Sequence, residues 1–258
     1  MNEKNSLRFA FSRTVTRPSF IEMAPFLYQE SYGSAQIRGN ADLQNGYNYN
    51  IDLRYELFEK NGDMLSITAY YKHLKAPIER VQTLSGGSAV HSFRNADNGM
   101  ATGVEIEFRK EIVKDLRFGV NGSYMYTNVK LPEGGAYTNS QRALQGASPY
   151  LANADLTYSP AFSNDRQLSV ALLYNLQGPR IHSVGISGLG DIKQQPVHTL
   201  NFTGSYRFNR RFAVKLQVND LLNQDILFKQ EVPTTGDKVE VERFRKGTGF
   251  EVGFSYDL

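Results

Sequence analysis

Along most of this chain, apolar and polar residues alternate with a period of two. In the last nine residues, Phe250-Glu-Val252-Gly-Phe254-Ser-Tyr256-Asp-Leu258, every even position is apolar or aromatic and every odd one is polar, charged or glycine. Such alternation marks a strand with one oily and one wet face. The same pattern recurs over residues 7–11, 47–57, 65–72, 104–109, 116–126, 150–158, 168–176, 200–208 and 212–218.

The joints between these segments alternate in kind. Lys60-Asn61-Gly62-Asp63, Lys114-Asp115, Ser163-Asn164-Asp165 and Asn209-Arg210 read as tight turns, and Asn-Gly supplies the positive φ that a hairpin needs. Between them run long polar stretches over residues 17–40, 79–98, 131–148, 179–196 and 221–244. Strands of membrane-crossing length, joined by short turns on one side and long loops on the other, describe an outer-membrane β-barrel. The short turns then mark the periplasmic side, and the long loops lie outside the cell.

The expected fold is all-β, an antiparallel transmembrane barrel wall of about ten strands. A soluble two-sheet sandwich would also alternate, but its strands average only about 5–6 residues. The polar face here carries Arg54, Glu56, Glu105, Glu107, Arg109, Arg117, Asp155, Arg207, Lys215 and Glu251. That suits a wet lumen, while Phe9, Leu53, Ile106, Val170, Val214 and Phe254 would face lipid. The 15 tyrosines and 16 phenylalanines gather at strand ends, as in the aromatic girdles of a bilayer-facing wall.

Composition narrows the choice of partners and chemistry. No stretch approaches the roughly 20 consecutive apolar residues of a membrane helix. Cysteine is absent, which removes disulfides and thiolate metal sites. Lys+Arg 29 against Asp+Glu 26 gives +3, with the charges dispersed, so no nucleic-acid footprint is expected. Residues 1–9 contain no apolar core of an export signal. The chain is therefore expected either to have lost a leader or to be the C-terminal part of something longer.

Chemical sites are sparse. His73, His91, His182 and His198 lack metal-ligand spacing, and each fits a polar loop or strand end. Ser183 adjoins His182, but adjacent strand residues point to opposite faces, a poor arrangement for nucleophilic catalysis. Gly185, Gly188 and Gly190 have no following helix signal, so they read as loop flexibility and not as a phosphate cradle. Asn121-Gly-Ser123 and Asn201-Phe-Thr203 fit a glycosylation pattern inside expected strands. No catalytic residue, metal or cofactor is expected.

Several short motifs carry a family resemblance. Arg17-Pro18-Ser19-Phe20 with Ala24-Pro25-Phe26, then Gly39-Asn40-Ala-Asp42-Leu43, then Tyr70-Tyr71-Lys72 with Pro77-Ile78-Glu79 resemble the second half of the barrel of TonB-dependent outer-membrane receptors, especially the Bacteroidota type. Tyr174-Asn-Leu-Gln-Gly178-Pro-Arg180-Ile181 with Val184-Gly185, Asn219-Asp-Leu221-Leu222-Asn223 and Arg245-Lys-Gly247 resemble that family's late strands. The resemblance covers nearly the whole chain.

It implies a complete barrel of about 22 strands, of which residues 1–258 would form the C-terminal portion as one β-barrel domain without the plug. It further implies an N-terminal plug, the energy-transducing partner TonB, outer-membrane lipid and the barrel-assembly machinery as partners, with a surface lipoprotein as a further candidate. The imported nutrient would be large and scarce, such as a metal chelate, cobalamin or a glycan. The assembly signal would be Phe250, Val252, Phe254, Tyr256 and Leu258, although the family usually ends in an aromatic residue. In the loops, Tyr28, Tyr32, Arg180 and His182 combine aromatic surface with hydrogen-bond donors suited to sugars or chelates. The alternative is a self-contained small outer-membrane barrel acting as a pore, adhesin or surface enzyme.

Overall fold

The computed structural model describes residues 4–29, 36–59, 62–85, 88–132, 137–162 and 165–256. Ten long strands form one antiparallel meander: β1 (Asn5–Thr16), β2 (Gly46–Phe58), β3 (Met64–Lys75), β4 (Asn98–Val113), β5 (Leu116–Lys130), β6 (Tyr150–Tyr158), β7 (Gln167–Gln177), β8 (Val197–Arg207), β9 (Phe212–Asn219) and β10 (Gly249–Tyr256). Each is hydrogen-bonded to the next in sequence, and the sheet is open, with β1 and β10 at its edges. The expected all-β antiparallel wall is therefore present. Several strands run longer than the alternation alone marks, notably β4 with 16 residues and β5 with 15.

Register assigns the two faces. Phe9 pairs with Leu53, Leu53 with Ala69, and Ala69 with Val104, so one apolar row crosses four strands on the outward side. Phe9 is 70% exposed and Phe254 72%. A soluble domain buries such side chains, each worth about 1.5–3 kcal/mol when removed from water. Here that burial is supplied by lipid.

The opposite face is polar and internally bonded. Glu56, Ser66, Glu107, Asn121, Asn153, Asn175 and Thr199 stand opposite one another from β2 to β8. Asn153 Nδ2 donates to Asn121 Oδ1 at 2.7 Å, and Asn175 Nδ2 donates to Asn153 in turn. Glu56 receives Arg8 at 3.1 Å and Arg54 at 2.9 Å, while Arg109 meets Glu107 at 2.7 Å. Polar groups at membrane depth are tolerated where they line a wet interior and satisfy one another. Asn121 and Asn201 lie on this inner face, so neither glycosylation pattern sits on a loop.

The short turns follow the sequence signals. Asp115 takes φ 66° and Gly62 φ 81°, while Asn209 Oδ1 accepts from the N–H groups of Arg211 and Phe212, both at 2.9 Å. Lys60, Asn61, Ser163 and Asn164 lie outside the described residues. Four of the five long connections contribute strands to two further sheets, where only the last was expected to carry strand extensions. One four-stranded sheet combines Leu27–Tyr28, Ile37–Arg38, Ser88–Asn95 and Ile78–Ser85; another combines Arg180–Ser183, Ile192–Gln194, Ile226–Val232 and Asp237–Phe244.

Candidate functional site: a cap folded from the long connections

The long connections fold into a cap at one end of the wall, and the buried apolar residues sit in this cap and in the strand ends beneath it. Ile37, Leu43 and Phe93 form one cluster, against which Tyr28 and Ile78 pack; Val81, Ala96, Val129 and Leu131 form a second, flanked by Tyr137 and Leu144. The short helix Phe20–Met23 is capped by Ser19 and Glu22 in a reciprocal capping box. Beside it, a Cβ on Gly39 would overlap the Ala24 backbone. Glycine there lets the two halves of the first connection close, with the Asn40 N–H donating to the Glu22 carbonyl at 2.7 Å.

Polar contacts then tie separate connections together. Arg142 Nη1 meets Glu79 Oε2 at 2.8 Å, with side chains 3% and 5% exposed. Burial pushes the Glu79 carboxyl above its ordinary value, while the Arg142 charge and hydrogen bonds from Arg142 and Gln145 pull it down. Arg142 Nε and Nη2 find no acceptor among the described residues. Gln145 Nε2 donates to the His182 carbonyl at 2.6 Å, and the Gly146 N–H donates to the Ile181 carbonyl at 2.9 Å. Gln82 Nε2 reaches Ser183 Oγ, and Arg80 Nε donates to His91 Nδ1 at 3.0 Å.

Among these contacts lies a cavity of about 290 Å³, lined by Glu22, Glu79, Arg80, Gln145, Arg180 and His182 together with Ile78 and Phe93. It offers guanidinium and amide donors beside two carboxylates and aromatic surface. Arg180 is oriented by its Nε bond to Gln194 Oε1 at 2.7 Å, and the His182 ring meets Phe228 edge-on at 4.7 Å. Such an arrangement can bind a polar ligand by hydrogen bonds and charge; no nucleophile–base pair accompanies it among the described residues. Ser183 is buried while His182 is exposed, so the two side chains diverge, as strand geometry requires.

The structure thus brings Arg180 and His182 together at one cavity. Tyr28 lies apart, packed on the Ile37 cluster, and Tyr32 lies outside the described residues. Glu79, Arg80, Arg142 and Gln145 were not singled out as site residues by the sequence reading. Gly185 donates its N–H to the Asp191 carboxylate at 2.9 Å, which gives that glycine-rich stretch a structural role. No group of three or more His, Cys, Asp or Glu residues able to hold a metal occurs among the described residues. On β10, Phe250, Val252, Phe254 and Tyr256 share the outward face; Leu258 lies outside the described residues.

An outward apolar wall, a polar inner face and a cap folded from the long connections define an outer-membrane β-barrel protein. The chain belongs to the outer membrane protein beta-barrel family, which it matches over residues 1–256, and its place is the outer membrane. No curated protein matches the sequence significantly. Among solved structures it is similar to a mutant of the ferric enterobactin receptor PfeA from Pseudomonas aeruginosa, with 20% identity, 99% of this chain and 39% of that one covered, and a TM-score of 0.67. It also resembles the siderophore receptor PirA from Acinetobacter baumannii (16% identity, 99% and 39% covered, TM-score 0.64). The ferric yersiniabactin uptake receptor FyuA from Yersinia pestis shares 14% identity, with 100% and 36% covered and a TM-score of 0.65. The fold is thus that of receptor barrels, and the chain spans under two fifths of the length of each.

Proposed function

We propose that this chain is the C-terminal part of the barrel of a TonB-dependent outer-membrane transporter, and that the cap cavity takes part in recognising its ligand. The carrying observation is the cavity itself, where Arg180 and His182 from one connection meet Glu79, Arg80 and Gln145 from two others. Binding there would involve no chemical step. The polar row from Glu56 to Thr199 would grip an N-terminal plug, TonB would supply energy through that plug, and the outward face of β10 would be read by the barrel-assembly machinery.

Among a metal chelate, cobalamin and a glycan, the chelate is favoured. The names of the three structural relatives specify ferric enterobactin, a siderophore and ferric yersiniabactin, and the cavity supplies two arginines for an anionic chelate. The test is uptake of radiolabelled ferric enterobactin, cobalamin and a maltodextrin by cells whose only added receptor is the whole protein. Loss of uptake of one of these with Arg180→Ala, at unchanged surface expression, is expected. Unchanged uptake of all three would remove the cavity from recognition.

A further inference from the structure

One buried charge in the cap is only half satisfied. Through Nη1, Arg142 reaches the Glu79 carboxylate at 2.8 Å and the Ala143 carbonyl at 3.1 Å. Its Nε and Nη2 are sealed from solvent and have no acceptor among the described residues. These two nitrogens form one edge of a planar guanidinium, with N–H groups held in a fixed fork. Leaving buried donors unpaired costs free energy, the more so on a charged group. Native proteins seldom carry such a cost, so the free edge of this cation calls for an occupant.

Arg142 borders the ligand space of the cap. With Arg180 and Lys193 it lines a groove of about 590 Å³ that continues from the cap cavity past Arg180 and Ile181. The one carboxylate in that lining, Asp191, is buried, and its Oδ1 accepts the Gly185 N–H at 2.9 Å. Glu79 is engaged by Nη1, so neither acid satisfies the free edge. The geometry of that edge decides which anion fits. Two N–H groups in a fork match the two oxygens of a carboxylate. A catecholate pair is turned onto its metal and offers no such free oxygens, and an uncharged glycan would leave the cation unmet.

We propose that the Nε–Nη2 edge of Arg142 receives a free carboxylate of the ligand, so that the cap selects chelates built from carboxylates over chelates built from catechols. The inference rests on reading the cap as a ligand site, and it narrows the ligand. Glu79 already orients the guanidinium from Nη1, which lowers the cost of ordering the receptor on binding. Because the free edge is sealed, the ligand must part Gln145 and Gly146 from the strand Arg180–Ser183, to which the Gln145 side chain and the Gly146 N–H bind them.

The test titrates the whole protein in detergent with ferric citrate, as the carboxylate probe, and with ferric enterobactin, as the catecholate probe. Ferric citrate should bind the more tightly. Arg142→Lys keeps a cation beside Glu79 but removes the fork, and it should weaken ferric citrate about tenfold more than ferric enterobactin, the worth of one charge-assisted hydrogen bond. Equal losses for the two probes, or no binding of ferric citrate by the parent protein, would overturn the assignment of Arg142. Arg180→Ala should weaken both probes; binding of both at parent strength in that variant would count against the cap cavity as a ligand site and leave the contrast at Arg142 as a separate result. Crystals of the ferric citrate complex, with iron located by its anomalous signal, should show carboxylate oxygens on Nε and Nη2, and an ordered water alone on that edge would overturn the proposal. The crystallographic readout requires no variant, so it decides the matter even if Arg142→Lys misfolds.

Discussion

Arg142 and Glu79 meet at 2.8 Å with almost no solvent between them and the protein interior, although they come from different outer connections. A buried pair of this kind is a weak source of net stability, because desolvation offsets much of the attraction; removing one partner is costly. Arg142→Met should therefore destabilise the cap by about 3–5 kcal/mol at neutral pH. The measure is hydrogen exchange in the hairpin Ile78–Ser85/Ser88–Asn95. Adding Glu79→Leu should recover most of the loss, and additive losses would refute the coupling.

The pH dependence has a definite sign. Burial raises the Glu79 carboxyl above its ordinary value, so the folded state holds that proton more tightly than the unfolded one. Its contribution is present below the unfolded value and is lost as pH rises through the folded one. Without Arg142 only the Gln145 backbone hydrogen bond is left to oppose the larger burial effect, so the Arg142→Met cap should regain protection as pH falls from neutral towards 4.5. Protection that declines over that interval would contradict this.

The two faces of β9 should respond oppositely. Val214 faces outward and pairs with Phe254, whereas Lys215 lies on the polar side opposite Ser205. Placing Arg at 214 should cost about 2–4 kcal/mol near the midplane, with Lys215→Gln costing little. Urea titrations of folding into vesicles measure both. Similar midpoints would reverse the facial assignment.

Orientation can be checked directly. Gly236 takes φ 74° in the turn before the outer strand Asp237–Phe244, and Gly62 lies in the short turn between β2 and β3. An epitope tag at Gly236 should be stained on intact cells and one at Gly62 only after permeabilisation. Staining in the opposite order would place the cap inside the cell.

The Ile226–Val232/Asp237–Phe244 hairpin is clamped at its base. Asp225 receives Arg245 at 2.7 Å and Arg243 at 3.2 Å, and the Arg245 hydrogen bond chiefly holds its carboxyl below the ordinary value. The clamp's contribution is thus present above the unfolded value and is lost as pH falls through the folded one. Asp225→Asn should speed tryptic cleavage after Arg245 at neutral pH. Cleavage at the parent rate would show that the clamp does not order this base.

The wall was legible because lipid on one side and polar lumen on the other impose a strict period of two; residues 150–158 read from alternation are the residues of β6. The cap hairpins were not. In Ile78–Ser85, Val81 packs on Val129 and Leu131 while Ile78 packs beside Phe93 and Ile37. Both faces are in contact with protein, so the alternation is lost. Arg180 and His182 were visible as donors in a loop, but the Arg142–Glu79 pair was not, since no periodicity links residues so far apart.

Apolar burial in this molecule has two different solvents as its reference. Ile37, Val129 and Leu131 leave water for a protein interior, so truncating Leu131 to Ala carries the usual cost of about 2–5 kcal/mol. Phe9, Leu53 and Phe254 leave water only when a bilayer surrounds them, so the cost of altering them should vary with bilayer thickness and acyl composition. Two melting processes are then available to one polypeptide, one tuned by its own packing and the other by the membrane in which it resides.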